Sequence, residues 1–341
     1  MRIPTKLAAS MTAAIAMCLT GIPQGQAKTR SKALTPEAVE KAAFKPGALR
    51  RGQSTPLALK ALVLLDRVHM SPGAIDGVFG ASALQAAKSF QTANGGQPTG
   101  KLSKAEWDRL SEAAGPDPVL MQYEIQKDDV KGPFLESIPD TYPEQAKLKR
   151  LGYTSPLEGL AEKFHMDQKL LQALNPGKAF DKAGETIAVL DVGDELKDRV
   201  ERIEVDNRES VLRVYGKDDR LVASYPASVG SKDNPSPSGS AKVRAVAENP
   251  AYYYNPKKLS FAKIEGEEQI KIAPGPNNPV GSVWIDLDKD TYGIHGAKEP
   301  MDVGKKASHG CVRLTNWDAM ELAHRVRKGV PVEFLNTVAA R

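Results

Sequence analysis

A chain of 341 residues is long enough for roughly two or three ordinary domains, and a hydrophobic content of 41% excludes a chain too polar to build a core. The 24 prolines and 28 glycines argue for several punctuated modules rather than one continuous block. A net charge of +5 is too small in so long a chain to point to nucleic acid, and beyond the N-terminus no segment is long and apolar enough for a stable membrane span.

Residues 1–27 are expected to be a signal peptide. "MRIPTK" supplies Arg2 and Lys6, no acid precedes Glu37, and "LAASMTAAIAMCLTGI" is an apolar run too short and too lightly flanked to span a bilayer. Gly25 and Ala27 suit a small-residue cleavage site, which puts the mature start near Lys28. Cys18 follows Met17, too large for the usual lipoprotein site, so this cysteine is expected to leave with the signal. Its removal takes two positive charges and no negative one, lowering the net charge from +5 to +3. Cys311 is then the one thiol of an exported chain, where cysteines commonly occur in disulfide pairs, and a lone one invites a functional reading.

Residues 28–47 are a polar lead-in with little pattern. The next module, 48–114, reads as three helices: "TPLALKALVLLDRV" with Leu57, Leu62, Leu65 and Val68 at near-helical spacing, "SALQAAKSFQ", and "KLSKAEWDRL" opened by a Ser103–Glu106 capping box. "IDGVFGASALQAAKSFQ…GKLSKAEWDRL" resembles the small helical peptidoglycan-binding domain appended to many wall enzymes. "GPDP", residues 115–118, reads as a linker.

In the module 119–191, Leu157, Leu160, Ala161 and Phe164 mark one helix. Leu170, Leu171 and Leu174 mark another, stopped by Asn175-Pro176-Gly177, and "TIAVL" is a short strand. "LLQALNPG" resembles the corresponding part of a LysM module, a glycan-binding fold, although the usual opening strand is hard to place in "MQYEIQKDD".

After a charged link, residues 199–336 change to a period of two. "RIEVD", "SVLRVYG", "RLVASYPASVG", "AKVRAVAEN", "SVWIDLD", "YGIHG" and "VPVEFL" are successive strands, with one late helix in "NWDAMELAHRVRKG" capped by Thr315 and Asp318. The expected fold is therefore multidomain α+β. A mostly-β domain with one late helix follows a small helical domain and a small α/β module.

Of the five histidines, His69, His165 and His324 read as structural. His309 lies two residues from Cys311, on the same face if the segment is a strand, and a 12-residue loop (296–307) separates His295 from Ser308. Either imidazole can reach the sulfur and serve the proton removal that a thiol nucleophile needs. Gly310 leaves room for a carbonyl beside the backbone, and Arg313 offers a planar fork for a carboxylate.

"YGIHGAKEPMDVGKKASHGCVRL", with "APGPNNPVGSVWIDL" and "PSPSG" upstream, resembles the catalytic signature of the L,D-transpeptidases. The resemblance implies Cys311 as nucleophile and His295 as its base, with His309 and Gly310 completing the catalytic set. It also implies substrate contacts at Arg313, Ser308, Gly296, Tyr292 and Trp284. The implied reaction cleaves the bond before the terminal D-alanine of a tetrapeptide stem, through a thioester that an amine resolves. The alternatives are a peptidase that resolves it with water, or a wall-binding protein without catalysis. The implied partners are peptidoglycan stems and glycan strands, with an outer-membrane lipoprotein as a further candidate acceptor, and the implied place is the periplasm. No metal or cofactor is expected. Carbapenems are expected to acylate Cys311, and the accessory modules are expected to be dispensable for that step.

Overall fold

The computed structural model describes residues 34–231, 235–257, 268–308 and 310–335. The expected signal peptide and His309 lie outside these residues. Among the described residues no helix is long and apolar enough to cross a membrane.

The first module holds four helices: α1 (Pro36–Glu40), α2 (Pro56–Arg67), α3 (Ala81–Ala93) and α4 (Lys104–Ala113). Thr35, Thr55 and Ser103 cap α1, α2 and α4 by accepting backbone N–H groups, and the Ser103–Glu106 capping box is present. The described part of the lead-in is not loose. Val39 is fully buried, and the Phe44 ring stacks on Trp107 at 4.9 Å. Two short apolar anchors in a polar stretch give no period, so only the packing reveals them.

The second module opens with β1 (Leu120–Glu124) and closes with β2 (Thr186–Leu190), paired antiparallel from Leu120↔Leu190 to Glu124↔Thr186. Between them come α5 (Lys127–Val130), α6 (Tyr142–Gln145), α7 (Pro156–Lys163) and α8 (Gln168–Leu174). The opening strand that the sequence left unplaced is "LMQYE". Its alternation is weak because only Leu120 of its five residues is buried.

The modules share one core. Leu59, Leu62, Leu65, Phe79, Phe90 and Leu110 of the first pack in the same cluster as Leu160, Leu171, Ile187 and Val189 of the second. Gly115–Pro118 does not act as a free tether. The Arg67 guanidinium, 4% exposed, donates to the carbonyls of Asp117 (2.8 Å), Pro118 (2.5 Å) and Asp191 (2.8 Å).

The last domain is built on an eight-stranded sheet in the order β11-β10-β9-β6-β12-β3-β4-β5. Its strands are β3 (Arg202–Asp206), β4 (Val211–Tyr215), β5 (Leu221–Pro226), β6 (Gly239–Glu248), β9 (Val283–Leu287), β10 (Gly293–His295), β11 (Val312–Arg313) and β12 (Pro331–Leu335). A separate hairpin pairs β7 (Tyr252–Tyr254) with β8 (Ile270–Ile272). The late helix α9 (Asn316–Arg325) buries Ala319, Leu322 and Ala323 against the sheet. The strand order places β10 and β11, which carry the signature, at one end and β5 at the other.

β5 is an edge, and the first module covers it. Ser71 N donates to Ser224 O and Ser224 N donates to His69 O, both at 2.9 Å, so Met70 adds a bridge to an otherwise open edge. His69 and His165 are structural joints to the last domain. His69 Nδ1 lies 3.0 Å from Glu321, and the His165 ring stacks on Trp317 at 5.0 Å while its Nδ1 sits 2.7 Å from Asp66. Glu162 of α7 accepts two hydrogen bonds from Asn316 Nδ2, at 3.0 and 3.2 Å.

Burial pushes the Glu162 carboxyl up to about 8, helped by the neighbouring Glu158 charge. An unfolded glutamic acid loses its proton near pH ~4.3. Between that pH and about 8 the unfolded chain therefore binds fewer protons than the folded one, so this group erodes stability as pH rises. Glu162→Gln keeps an acceptor for Asn316 and removes the ionisation. Thermal melts should match the wild type at about pH 3.5, below the unfolded pKa, and exceed it at pH 8. The gain should be about 2–4 °C for each kcal/mol of ionisation cost removed. Equal melting points at pH 8 would disprove a protonated Glu162.

Candidate active site

Parallel pairing of β10 with β11 sets Ile294 beside Val312 and His295 beside Arg313. Ile294 and Val312 are 0% and 1% exposed and face the core. Strand alternation then turns His295 and Arg313 to the opposite face, and continues that face back to Cys311. β9 adds Trp284, directly opposite His295. Spacing along the chain did not show which of these residues are neighbours. The register does.

The segment holding Cys311 is clamped from its other side. The expected strand "RLVASYPASVG" ends at Pro226, and its remainder pairs with the signature instead. Ser228 and Arg313 exchange backbone hydrogen bonds at 2.9 Å, and Ser308 N donates to Val229 O at 2.7 Å. Ser236 of "PSPSG" ties the turn down by donating to Gly310 O at 2.9 Å while accepting from Gly230 N at 2.7 Å.

Gly310 is required by this turn. Its φ is +120°, and a Cβ there would sit 3.0 Å from the Tyr292 ring. Gly293 is required by close approach, since a Cβ would fall 2.5 Å from the Trp284 indole. Trp284 stacks on His295 at 5.7 Å with 25° between planes and donates from Nε1 to Asp286 at 3.3 Å.

Three residues expected to touch substrate are engaged elsewhere. Ser308 is buried; its hydroxyl donates to Cys311 O at 2.5 Å and accepts from Gly310 N at 3.1 Å. That bond also occupies the Gly310 N–H, so this group is not free to hold an oxyanion. The Gly296 carbonyl accepts from His295 Nδ1 at 2.7 Å, which makes Gly296 the orienting group of the imidazole. Tyr292 packs its ring on Gly310 and donates to Pro235 O at 3.4 Å.

The thiol and the imidazole are both neutral at rest. Burial pushes the Cys311 thiol up to about 11, against a hydrogen bond from the Gly293 backbone and the Arg313 charge, which favour the thiolate. Burial and then the Arg313 charge push His295 down to about 3. The sulfur donates to Thr291 O at 3.5 Å. Arg313 is itself partly desolvated, which lowers its pKa, and it forms no ion pair among the described residues.

The sequence reading missed the aromatic residues above this face. Tyr252 lies near enough to Cys311 for the two charges to interact, and Tyr142 of α6 does the same with Arg313. The run "AYYYN" (251–255) is the signal that could have flagged Tyr252. Nothing in the sequence around Tyr142 points to the site.

Comparison with known proteins agrees with the signature. Residues 200–334 match the YkuD family model, described as an L,D-transpeptidase catalytic domain, and residues 58–110 match a peptidoglycan binding domain. A Bacillus licheniformis protein named as an L,D-transpeptidase, YkuD, is 30% identical over 177 residues, covering 52% of this chain and 91% of the relative. YbiS of Escherichia coli, named likewise, is 31% identical over 190 residues, covering 54% of this chain and 61% of that protein. Among solved structures, an L,D-transpeptidase from Mycobacterium smegmatis aligns with TM-score 0.33 and 17% identity, over 45% of this chain and 64% of that one. The catalytic domain of the Enterococcus faecium enzyme aligns with TM-score 0.32 and 22% identity, over 40% and 98%. Because the match runs through nearly all of the Bacillus licheniformis relative, the chain belongs to the YkuD-type L,D-transpeptidase family.

Proposed function

We propose that this protein is an exported L,D-transpeptidase that remodels peptidoglycan through a Cys311 thioester. The observation that carries this reading is the β10–β11 register, which sets His295 beside Arg313, two residues along the chain from Cys311. In the first half-reaction Cys311 Sγ attacks the carbonyl before the terminal D-alanine of a tetrapeptide stem. The thiol proton goes to His295 as the S–C bond forms, because the resting pair favours neither separated charge. His295 then delivers it to the departing D-alanine nitrogen as the C–N bond breaks. An acceptor amine attacks the thioester, and the sulfur leaves as the thiol. The Cys311 N–H supplies the oxyanion contact, and Arg313 holds a substrate carboxylate. His309 adds to the same site.

The accessory modules anchor the enzyme to the wall. The match of residues 58–110 supports this for the first, and the two-stranded β1–β2 ladder enclosing α7 and α8 supports a LysM-like glycan module for the second. The N-terminal signal supports a periplasmic, wall-associated location. The acceptor amine belongs to a second stem or to an outer-membrane lipoprotein.

Purified wall fragments incubated with the protein test the assignment by mass spectrometry. New dimers indicate transfer, shortened monomers indicate hydrolysis by water, and unchanged fragments indicate a binder without catalysis. For the base, His295→Ala should slow acylation by about 10²-fold or more at pH 7. The deficit should shrink toward pH 10, as the thiolate forms without help below a thiol pKa of about 11. Adduct growth followed by mass at the two pH values measures this, and a deficit independent of pH would remove His295 from proton transfer.

A further inference from the structure

The residues between β1 and α7 reach the catalytic face. Leu151 N donates to Pro274 O at 2.9 Å, and Asn277 N donates back to Leu151 O at 3.0 Å. Asn277 Nδ2 donates to Gly152 O at 3.0 Å and to Glu158 Oε1 at 2.7 Å. These bonds stitch the accessory segment to the turn that follows β8. Upstream, Gln145 is buried and donates to Pro139 O at 2.7 Å, which holds α6 in place.

α6 begins with Tyr142. Its ring meets Tyr252 edge-on at 5.7 Å and Tyr254 at 5.2 Å, so the accessory segment and the β7–β8 hairpin form one aromatic group. Tyr142 lies within electrostatic reach of the Arg313 charge, and Tyr252 within reach of Cys311. Burial raises both phenols, so they remain O–H donors at neutral pH. Two phenol hydroxyls and a guanidinium that forms no ion pair among the described residues, close to the proposed nucleophile, form a place for an anion such as a planar carboxylate.

We propose that Tyr142, contributed by the accessory module, is a specificity-determining residue of the active site: with Tyr252 and Arg313 it recognises a free carboxylate of the donor stem. The inference rests on the transpeptidase reading and adds to it. It makes the second module a wall of the substrate cleft as well as an anchor.

The test uses the full chain and two donors, a disaccharide–tetrapeptide and the same molecule with its diamino-acid carboxylate converted to the primary amide. The wild type should prefer the acid. Tyr142→Phe, which keeps the ring and its packing, and Tyr142→Ala should each raise KM for the acid by about tenfold, the scale of a lost hydrogen bond to a charged group. The KM for the amide should barely change, so the preference collapses. The alkylation rate of Cys311 by iodoacetamide should stay within about twofold in Tyr142→Phe, because the thiol's own partners are untouched. Product formation with an undiminished preference for the acid in both variants would overturn the inference while leaving the transpeptidase reading intact. A wild type that forms no product from either donor would overturn the reading beneath it.

Discussion

Cys311→Ala should abolish product formation from wall fragments, while the chain still folds and still sediments with wall material. Cys311 is the only cysteine among the described residues, so nothing there can replace it as a nucleophile. The structural cost is small, because the sulfur gives up only a long donation to Thr291 O at 3.5 Å and a hydrogen bond from the Gly293 backbone. The same substitution separates chemistry from binding with a β-lactam. A thiol able to attack a peptide carbonyl also attacks a strained lactam carbonyl, and carbapenems are the compact case. The wild type should gain the mass of one intact carbapenem, and Cys311→Ala should gain none. The wild-type adduct rate should climb with pH less steeply than that of His295→Ala, which lacks the base and should rise by about tenfold per pH unit well below a thiol pKa of about 11. Product from Cys311→Ala, or an adduct on it, would end the thioester mechanism.

A fragment beginning at Arg199 should fail to fold as the full chain does, and so should acylate at least about tenfold more slowly if it acylates at all. The sequence alone leads to the opposite expectation, that the accessory modules are detachable. Three features of the structure decide against it. β5 would lose its cover at Met70 and present an open edge. Leu221, which packs in the accessory core, and Trp317, which stacks on His165, would face water; the leucine alone costs about 1.5–3 kcal/mol. That is a large share of a net stability of about 5–15 kcal/mol. The β7–β8 hairpin would also lose Tyr142 and the Leu151 backbone bonds that hold it near the cysteine. Circular dichroism melts, gel filtration and carbapenem adduct kinetics on the fragment check this. A monomeric fragment that melts cooperatively and labels at the full rate would show that the modules are separable after all.

Both results bear on where the information for this protein resides. Most strands of the last domain and the longer helices were legible in the chain because they depend on neighbours. Alternation in "RIEVD" and "SVWIDLD" marks sheet faces, the Ser103–Glu106 pair marks a helix start, and Gly310-Cys311 in its signature marks the proposed nucleophile. Such features need only a few consecutive side chains with the right shape and polarity. Family membership follows from the same local strings. Contacts between distant segments left no comparable trace. Glu162 with Asn316, Arg67 with Asp117, and Tyr142 with Tyr252 join residues whose types are ordinary on any surface, and no period announces them. The ionisation of the site was hidden for the same reason. A thiol near 11 and an imidazole near 3 are set by how much water the packed face excludes and where Arg313 lies, and both are properties of the assembled sheet. Local chemistry thus selected the reacting atom, while long-range packing decided that three modules share one body and that the second of them borders the catalytic face.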